Sequence, residues 1–136
     1  MDNQHELILV SAATKAGETF VRGLIREGLP FAAIVNNKAE RADMEKLGVK
    51  RIIMVDTTEE STWLQPDGPI GKVYLFETSM NLCCRYIRIC RSWTEQPVYV
   101  ITKSNHPRLI YKSLGATYVI HTNSDDVKFL IQTLVG

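Results

Sequence analysis

The chain has 136 residues, 16 of them Lys or Arg and 15 Asp or Glu, for a formal net charge of +1; 45% of it is hydrophobic and 23% charged. That is the balance of a globular domain long enough to close one core without disulfides or metal, and its charge supplies no field for a nucleic acid or a membrane surface. Apolar runs such as Val98 to Ile101 fall far short of the ~20 residues that span a bilayer, and Met1 to Glu6 lack the basic flank and apolar core of a secretory signal; the expectation is one domain over residues 1–136, in the cytoplasm.

Short apolar runs alternate with amphipathic segments, the pattern of βαβ units, because parallel strands need crossovers. Leu7 to Val10 reads as a first strand, and Gly17 to Glu27 as a helix with Phe20, Val21, Leu24 and Ile25 on one face, stopped at Gly28. Phe31 to Val35 is a second strand, Ala39 to Leu47 a helix ended by Gly48, and Arg51 to Val55 a third strand. Thr57 to Leu64 reads as a short helix, and Pro66-Asp67-Gly68-Pro69 is the strongest turn signal in the chain. Val73 to Phe76 is a fourth strand, followed by a helix from Met80 to Trp93 with Leu82, Tyr86, Ile89 and Trp93 inside. Pro97 to Thr102 forms a fifth strand, its proline suited to the first position. A helix opening at Pro107, with Ile110 and Leu114 inward and Gly115 at its end, leads to a sixth strand, Tyr118-Val119-Ile120, and a last helix from Asp125 to Leu134. Right-handed crossovers and a break after the third strand favour a Rossmann-like, doubly wound α/β sheet of order 3-2-1-4-5-6, with helices on both faces and a ligand crevice between strands one and four.

The strand ends expected to meet in that crevice are Ser11 to Gly17, Asn36-Asn37, Asp56-Thr57, Glu77-Thr78 and Thr102-Lys103. Ala12 to Gly17 has G-x-G-x-x-G spacing with Ala12 and Thr14 at the first two glycine positions and Gly17 retained, a residue that serves helix packing. A β-branched Thr14 crowds a diphosphate, whereas Lys15, the Thr14 hydroxyl and the helix amides suit a single phosphate or smaller anion; an ordinary strand-to-helix loop is the alternative. The second strand ends Val35-Asn36-Asn37-Lys38, without the acid that usually holds the ribose diol. Asn36 or Asn37 can bond a hydroxyl, and Lys38 with Arg41 can face a 2′-phosphate; the same residues also read as a solvated turn.

Cys83, Cys84 and Cys90 share one predicted helix and complete no C-x-x-C pair, so they are expected as buried, reduced thiols. His106 and His121 have no acid or nucleophile at a useful spacing and read as surface histidines. Tyr86 and Tyr111 are followed four residues later by Cys90 and Gly115, so the Y-x-x-x-K pair of short-chain oxidoreductases is missing. Arg85, Arg88 and Arg91, with Trp93 beyond them, form either a solvated basic face or a dimer contact.

Val55-Asp56-Thr57-Thr58, Asn81-Leu82, and Lys103-Ser104-Asn105-His106-Pro107 followed by Leu114-Gly115-Ala116 and Val119-Ile120 resemble the G-D-A-T, N-L and R-V-N-D-P…L-G-A…V-I segments of the RCK, or TrkA N-terminal, domains that regulate potassium conductance. The resemblance runs over nearly the whole chain; the start of the chain also looks like NmrA-like NADP-binding domains. It implies NAD(P) or an adenine nucleotide in the crevice, pairing as a homodimer, and a potassium channel or transporter as the regulated partner. It assigns Asp56 to adenosine and Lys103 to phosphate. The candidate ligand-binding set is therefore Ala12, Thr14, Lys15, Gly17, Asn36, Asn37, Lys38, Asp56, Thr57, Glu77 and Lys103, with no catalytic or metal-binding residue. A nucleotide-sensing regulatory domain is the leading expectation; an NAD(P)-dependent oxidoreductase-like enzyme or fragment and a nucleotide-free interaction module are the alternatives.

Overall fold

A computed structural model describes residues 6–104 and 108–135. Its elements, in chain order, are β1 (Leu7–Ser11), α1 (Lys15–Arg26), β2 (Phe31–Val35), α2 (Lys38–Leu47), β3 (Ile52–Met54), a 3-10 turn at Glu60–Thr62, β4 (Ile70–Phe76), α3 (Met80–Trp93), β5 (Val98–Thr102), α4 (Arg108–Leu114), β6 (Tyr118–His121) and α5 (Lys128–Val135). The strands form one six-stranded sheet in the order β3-β2-β1-β4-β5-β6, and every neighbouring pair is parallel. This is the doubly wound Rossmann order, with its reversal between β1 and β4.

The strands are apolar throughout because both faces of the sheet are covered. Alternation then sends neighbouring residues to opposite cores. Leu7, Leu9, Val73 and Leu75 join Tyr86, Ile87, Ile89, Trp93 and Tyr111 under α3 and α4. Ile8, Val10, Tyr74 and Phe76 join Phe20, Val21, Leu24, Met44, Leu130 and Ile131 under α1, α2 and α5.

Several element limits differ from the sequence expectation, each for a local reason. The first helix begins at Lys15 rather than Gly17, because the Thr14 side chain caps it. The second begins at Lys38 behind an Asn37 cap. Thr57 to Leu64 supplies only the 3-10 turn, since Asp56 gathers the segment into a loop: its Oδ1 accepts from Thr58 N and Oγ1, and its carbonyl accepts from Glu59 N and Trp63 Nε1. The fourth strand starts at Ile70, where pairing with Leu7 begins.

On α4 Tyr111, at 0% exposure, faces inward with a half-buried Leu114 packed against the same core, while Ile110 is 39% exposed. The register is set by the Tyr111 hydroxyl, which reaches Glu77 at the end of β4. Pro107, read as the opening of that helix, lies outside the described residues. The last helix starts three residues late, at Lys128, whose N–H is received by Asp126 Oδ1 at 3.2 Å.

On α3, Tyr86, Ile89 and Trp93 are buried as expected, with Leu82 only half-buried; Cys83 and Cys90 are buried and Cys84 half-buried. Arg91 is drawn off the basic face: Nε donates to Gly115 O at 2.8 Å, one terminal nitrogen to Thr94 O and Gln96 O at 2.9 and 2.8 Å, and the other to Thr117 Oγ1 at 3.1 Å. Of the three arginines, Arg85 and Arg88 stay exposed, and Arg91 is half-buried. Among the described residues, no helix is long and apolar enough to cross a membrane.

Candidate functional site

The carboxyl ends of the six strands form the upper rim of the sheet, and the loops leaving them, with the first turns of α1 and α2, carry the candidate residues. After β1 the chain turns into α1 so tightly that a Cβ on Gly17 would sit 2.7 Å from Ala12 Cα. Gly17 thus lets the helix close on the loop, and Ala12, only 3% exposed, fills the space beneath it. Thr14 is extended (φ −131°, ψ 166°), and its Oγ1 accepts from Gly17 N at 3.0 Å. The hydroxyl expected to meet a phosphate therefore caps the helix first and keeps its own proton to donate. Lys15, the first helical residue, is exposed.

At the end of β2, Asn37 Oδ1 accepts from Glu40 N at 2.8 Å, and Glu40 Oε1 accepts from Asn36 N at 3.2 Å. Turned with its nitrogen toward Glu40, the Asn36 amide also donates to both carboxylate oxygens at 3.0 and 3.1 Å. A carboxylate is thus present at this strand end, supplied from the first turn of α2. It lines a small cleft with Ala12, Ala13, Val35 and Met44. Arg41, expected beside Lys38 as a partner for a 2′-phosphate, instead approaches Glu45 at 3.6 Å, as residues one helical turn apart do.

Beyond β3, the Asp56 carboxylate is exposed and held below the usual carboxylate range by its two hydrogen bonds from Thr58. Thr57 is buried.

Glu77, at the end of β4, has the most hydrogen-bonded carboxylate of the rim. Oε1 accepts from Thr102 Oγ1 at 2.6 Å and Ser104 Oγ at 3.0 Å, and Oε2 accepts from Tyr111. Burial, and next the bond to Glu77, push the Tyr111 phenol well above its ordinary range, so it remains a neutral donor. Burial likewise pushes the neighbouring Cys83 thiol up to about 12 and the Cys90 thiol up to about 12. Neither is a nucleophile at neutral pH.

Lys103, after β5, binds Asp125 Oδ1 at 2.6 Å; this hydrogen bond is the largest of the influences that lower the Asp125 pKa. The motif residues that follow, Asn105, His106 and Pro107, lie outside the described residues. His121 is exposed at the end of β6.

Thr14, Ala16, Glu77, Thr78, Lys103 and Thr122 line a common cleft of about 390 Å³ over the start of α1. A larger groove, of about 590 Å³, lies at the opposite end of the sheet, against Leu24, Ile25, Pro30 and Phe31. It collects none of the rim side chains, whereas open α/β sheets bind ligands at the carboxyl end where strand order reverses. The rim therefore gathers Thr14, Glu77 and Lys103 in one cleft and Ala12 with Glu40 in a second; Asp56 and Thr57 line neither. Glu40, Tyr111, Ser104 and Asp125 escaped the sequence reading. Only Glu40 had a legible signal, the Asn37-x-x-Glu40 spacing of a helix start.

No protein-family model matches the chain, and no curated protein matches it. Among solved structures, the NAD(P)-binding domain of an exopolyphosphatase-related protein from Archaeoglobus fulgidus is 22% identical, with a TM-score of 0.68 over 97% of this chain and 98% of that one. The TrkA-N domain of the inner membrane protein ybaL from Escherichia coli is 12% identical, with a TM-score of 0.65 and full coverage of both chains. The GsuK channel bound to NAD is 16% identical, with a TM-score of 0.69 over 88% of this chain; the match spans 22% of the channel chain. At these identities the likeness is one of fold. The chain has the fold of the TrkA-N and RCK domains.

Proposed function

We propose that this chain is a single nucleotide-sensing regulatory domain that binds NAD or an adenine nucleotide at the carboxyl rim of its sheet and signals occupancy to a partner protein. The observation that carries this reading is the cleft over the start of α1, which Thr14 and Lys103 line together at the reversal of strand order. In this reading Thr14, Lys15 and Lys103 take the phosphates, with Lys103 released from Asp125, and Ala12 and Gly17 shape the loop. Asn36, Asn37 and Lys38 border the ribose, and Asp56 and Thr57 lie on the adenine side. Glu40 at the end of β2 favours a free ribose diol and opposes a 2′-phosphate by like-charge repulsion. The NAD bound to the GsuK channel supports this ligand class, and the same neighbour supports a channel or transporter as the regulated partner; in this reading the domain lies on the cytoplasmic side of that partner and pairs as a homodimer.

The test is thermal denaturation with NAD, NADH, NADP, NADPH, ATP, ADP and AMP, each near 1 mM, because a ligand of the native state raises the midpoint. A selective rise, larger for NAD than for NADP and reduced in Lys103→Ala, is expected. A midpoint unmoved by every nucleotide would overturn the proposal.

A further inference from the structure

Tyr86 is 2% exposed, and its hydroxyl makes no hydrogen bond of normal length among the described residues, although the Ser11 side chain lies close enough to influence it. Leaving a buried hydroxyl unpaired is destabilising, so its position requires a reason. Tyr74 has the second unpaired phenol, but that residue lies in the opposite core, packed against Phe20 and stacked on Tyr99 at ring distances of 4.8 and 4.7 Å. Tyr86 instead lines a void of about 10 Å³ beneath the rim with Ser11, Glu77, Thr78, Leu82 and Cys83. Ser11 ends β1, and Glu77 follows β4, so the void lies where strand order reverses. Its size admits one oxygen atom and excludes a purine ring. Burial pushes the phenol far above its ordinary range, so the group present is a donor.

We propose that the Tyr86 hydroxyl is a recognition group for the nucleotide, donating to one oxygen of its ribose-phosphate portion that enters the slot between Ser11 and Glu77. This rests on the nucleotide reading above and adds a residue to it that none of the strand-end loops supplies. The apo domain carries an unpaired donor, which the ligand satisfies on binding. The cost of the unpaired group thereby becomes part of the selectivity for ligands that place an oxygen there.

The experiment compares the wild-type protein with Tyr86→Phe in thermal denaturation and in calorimetric titration with NAD, ATP, AMP and adenosine. Removal of an unpaired hydroxyl is expected to leave the apo midpoint unchanged or higher, and to weaken nucleotide binding about tenfold, the equivalent of one lost hydrogen bond. A loss seen with AMP and adenosine alike assigns the oxygen to the ribose; a loss confined to the phosphorylated ligands assigns it to phosphate. Equal affinity in the two proteins overturns the inference and leaves the nucleotide reading intact. A lower apo midpoint with unchanged affinity identifies a trapped structural water and also overturns it. Should Tyr86→Phe fold poorly, wild-type protein labelled with carbon-13 at tyrosine Cζ gives a second reading: the Tyr86 resonance moves on saturation with NAD, and an unmoved resonance overturns the inference. If no nucleotide binds the wild-type protein, the proposed function falls and this inference with it.

Discussion

Gly17 has no room for a single methyl group. A Cβ there would meet Ala12 Cα at 2.7 Å and Ala12 C at 2.9 Å, both backbone atoms that no rotamer change can move. Two effects oppose each other in Gly17→Ala. Helix propensity favours alanine by about 1 kcal/mol, while overpacking a tight contact costs about 1–3 kcal/mol; with backbone on the other side of the contact, the clash dominates. The substitution is expected to lower stability by roughly 1–2 kcal/mol in urea denaturation and to lift the start of α1 away from the β1 loop. An unchanged midpoint would mean that the loop yields freely and that Gly17 has no packing role. The role of Gly17 was legible from spacing alone, because a close helix approach needs a missing Cβ whatever the ligand. The role of Thr14 was only half legible. Its β-branch was read as an obstacle to phosphate, yet in the extended cap conformation the side chain turns toward Gly17 N, which spacing does not reveal.

At the scale of elements, Arg91 joins α3 to the two strands beyond it. Its guanidinium donates to the carbonyls of Thr94, Gln96 and Gly115 and to Thr117 Oγ1, in the connections that lead into β5 and β6. Gly115 accommodates it, with φ of +123° and a virtual Cβ only 2.6 Å from Arg91 Cγ, so both its conformation and its lack of a side chain are used. Arg91→Ala leaves these acceptors without a charged donor and is expected to cost about 2–4 kcal/mol in denaturant unfolding. Arg91→Lys should recover little of that loss, since an ammonium cannot reproduce the planar fork; full recovery by lysine would reduce the role of Arg91 to charge alone. The apolar strands were legible because a sheet covered on both faces needs continuous hydrophobic runs. The connections were less so. Arg91 looked like one of three equivalent arginines, and Ile110 looked inward by apolarity, until the Tyr111 bond to Glu77 fixed the face of α4. Polar contacts between residues 24 to 34 positions apart leave no periodic trace in a sequence.

At the scale of the whole molecule, the two cores share the same central strands. In β1, Leu7 and Leu9 enter one core while Ile8 and Val10 enter the other, and in β4 Val73 and Leu75 alternate in the same way with Tyr74 and Phe76. Neither face can lose its packing without loosening strands that support the other, so unfolding is expected as one cooperative transition, as is usual for a chain below ~150 residues. The chain has two tryptophans, and both report one face: Trp93 belongs to the core under α3, and its Nε1 donates to Trp63 O at 3.1 Å. Far-ultraviolet circular dichroism, by contrast, reports the helices of both faces. Tryptophan fluorescence and circular dichroism should therefore trace the same urea curve. The rim spans residues borne on both faces, Thr14 beside α1 and Glu77 bound to α4, so a nucleotide held there should move both curves by the same amount. If tryptophan fluorescence changed at lower urea than circular dichroism, the faces would be separable units, and a ligand could stabilise one without the other. Coincident curves with a common displacement would mean that occupancy of the rim is felt by the entire sheet, the coupling a regulatory domain needs to pass a bound state to a partner.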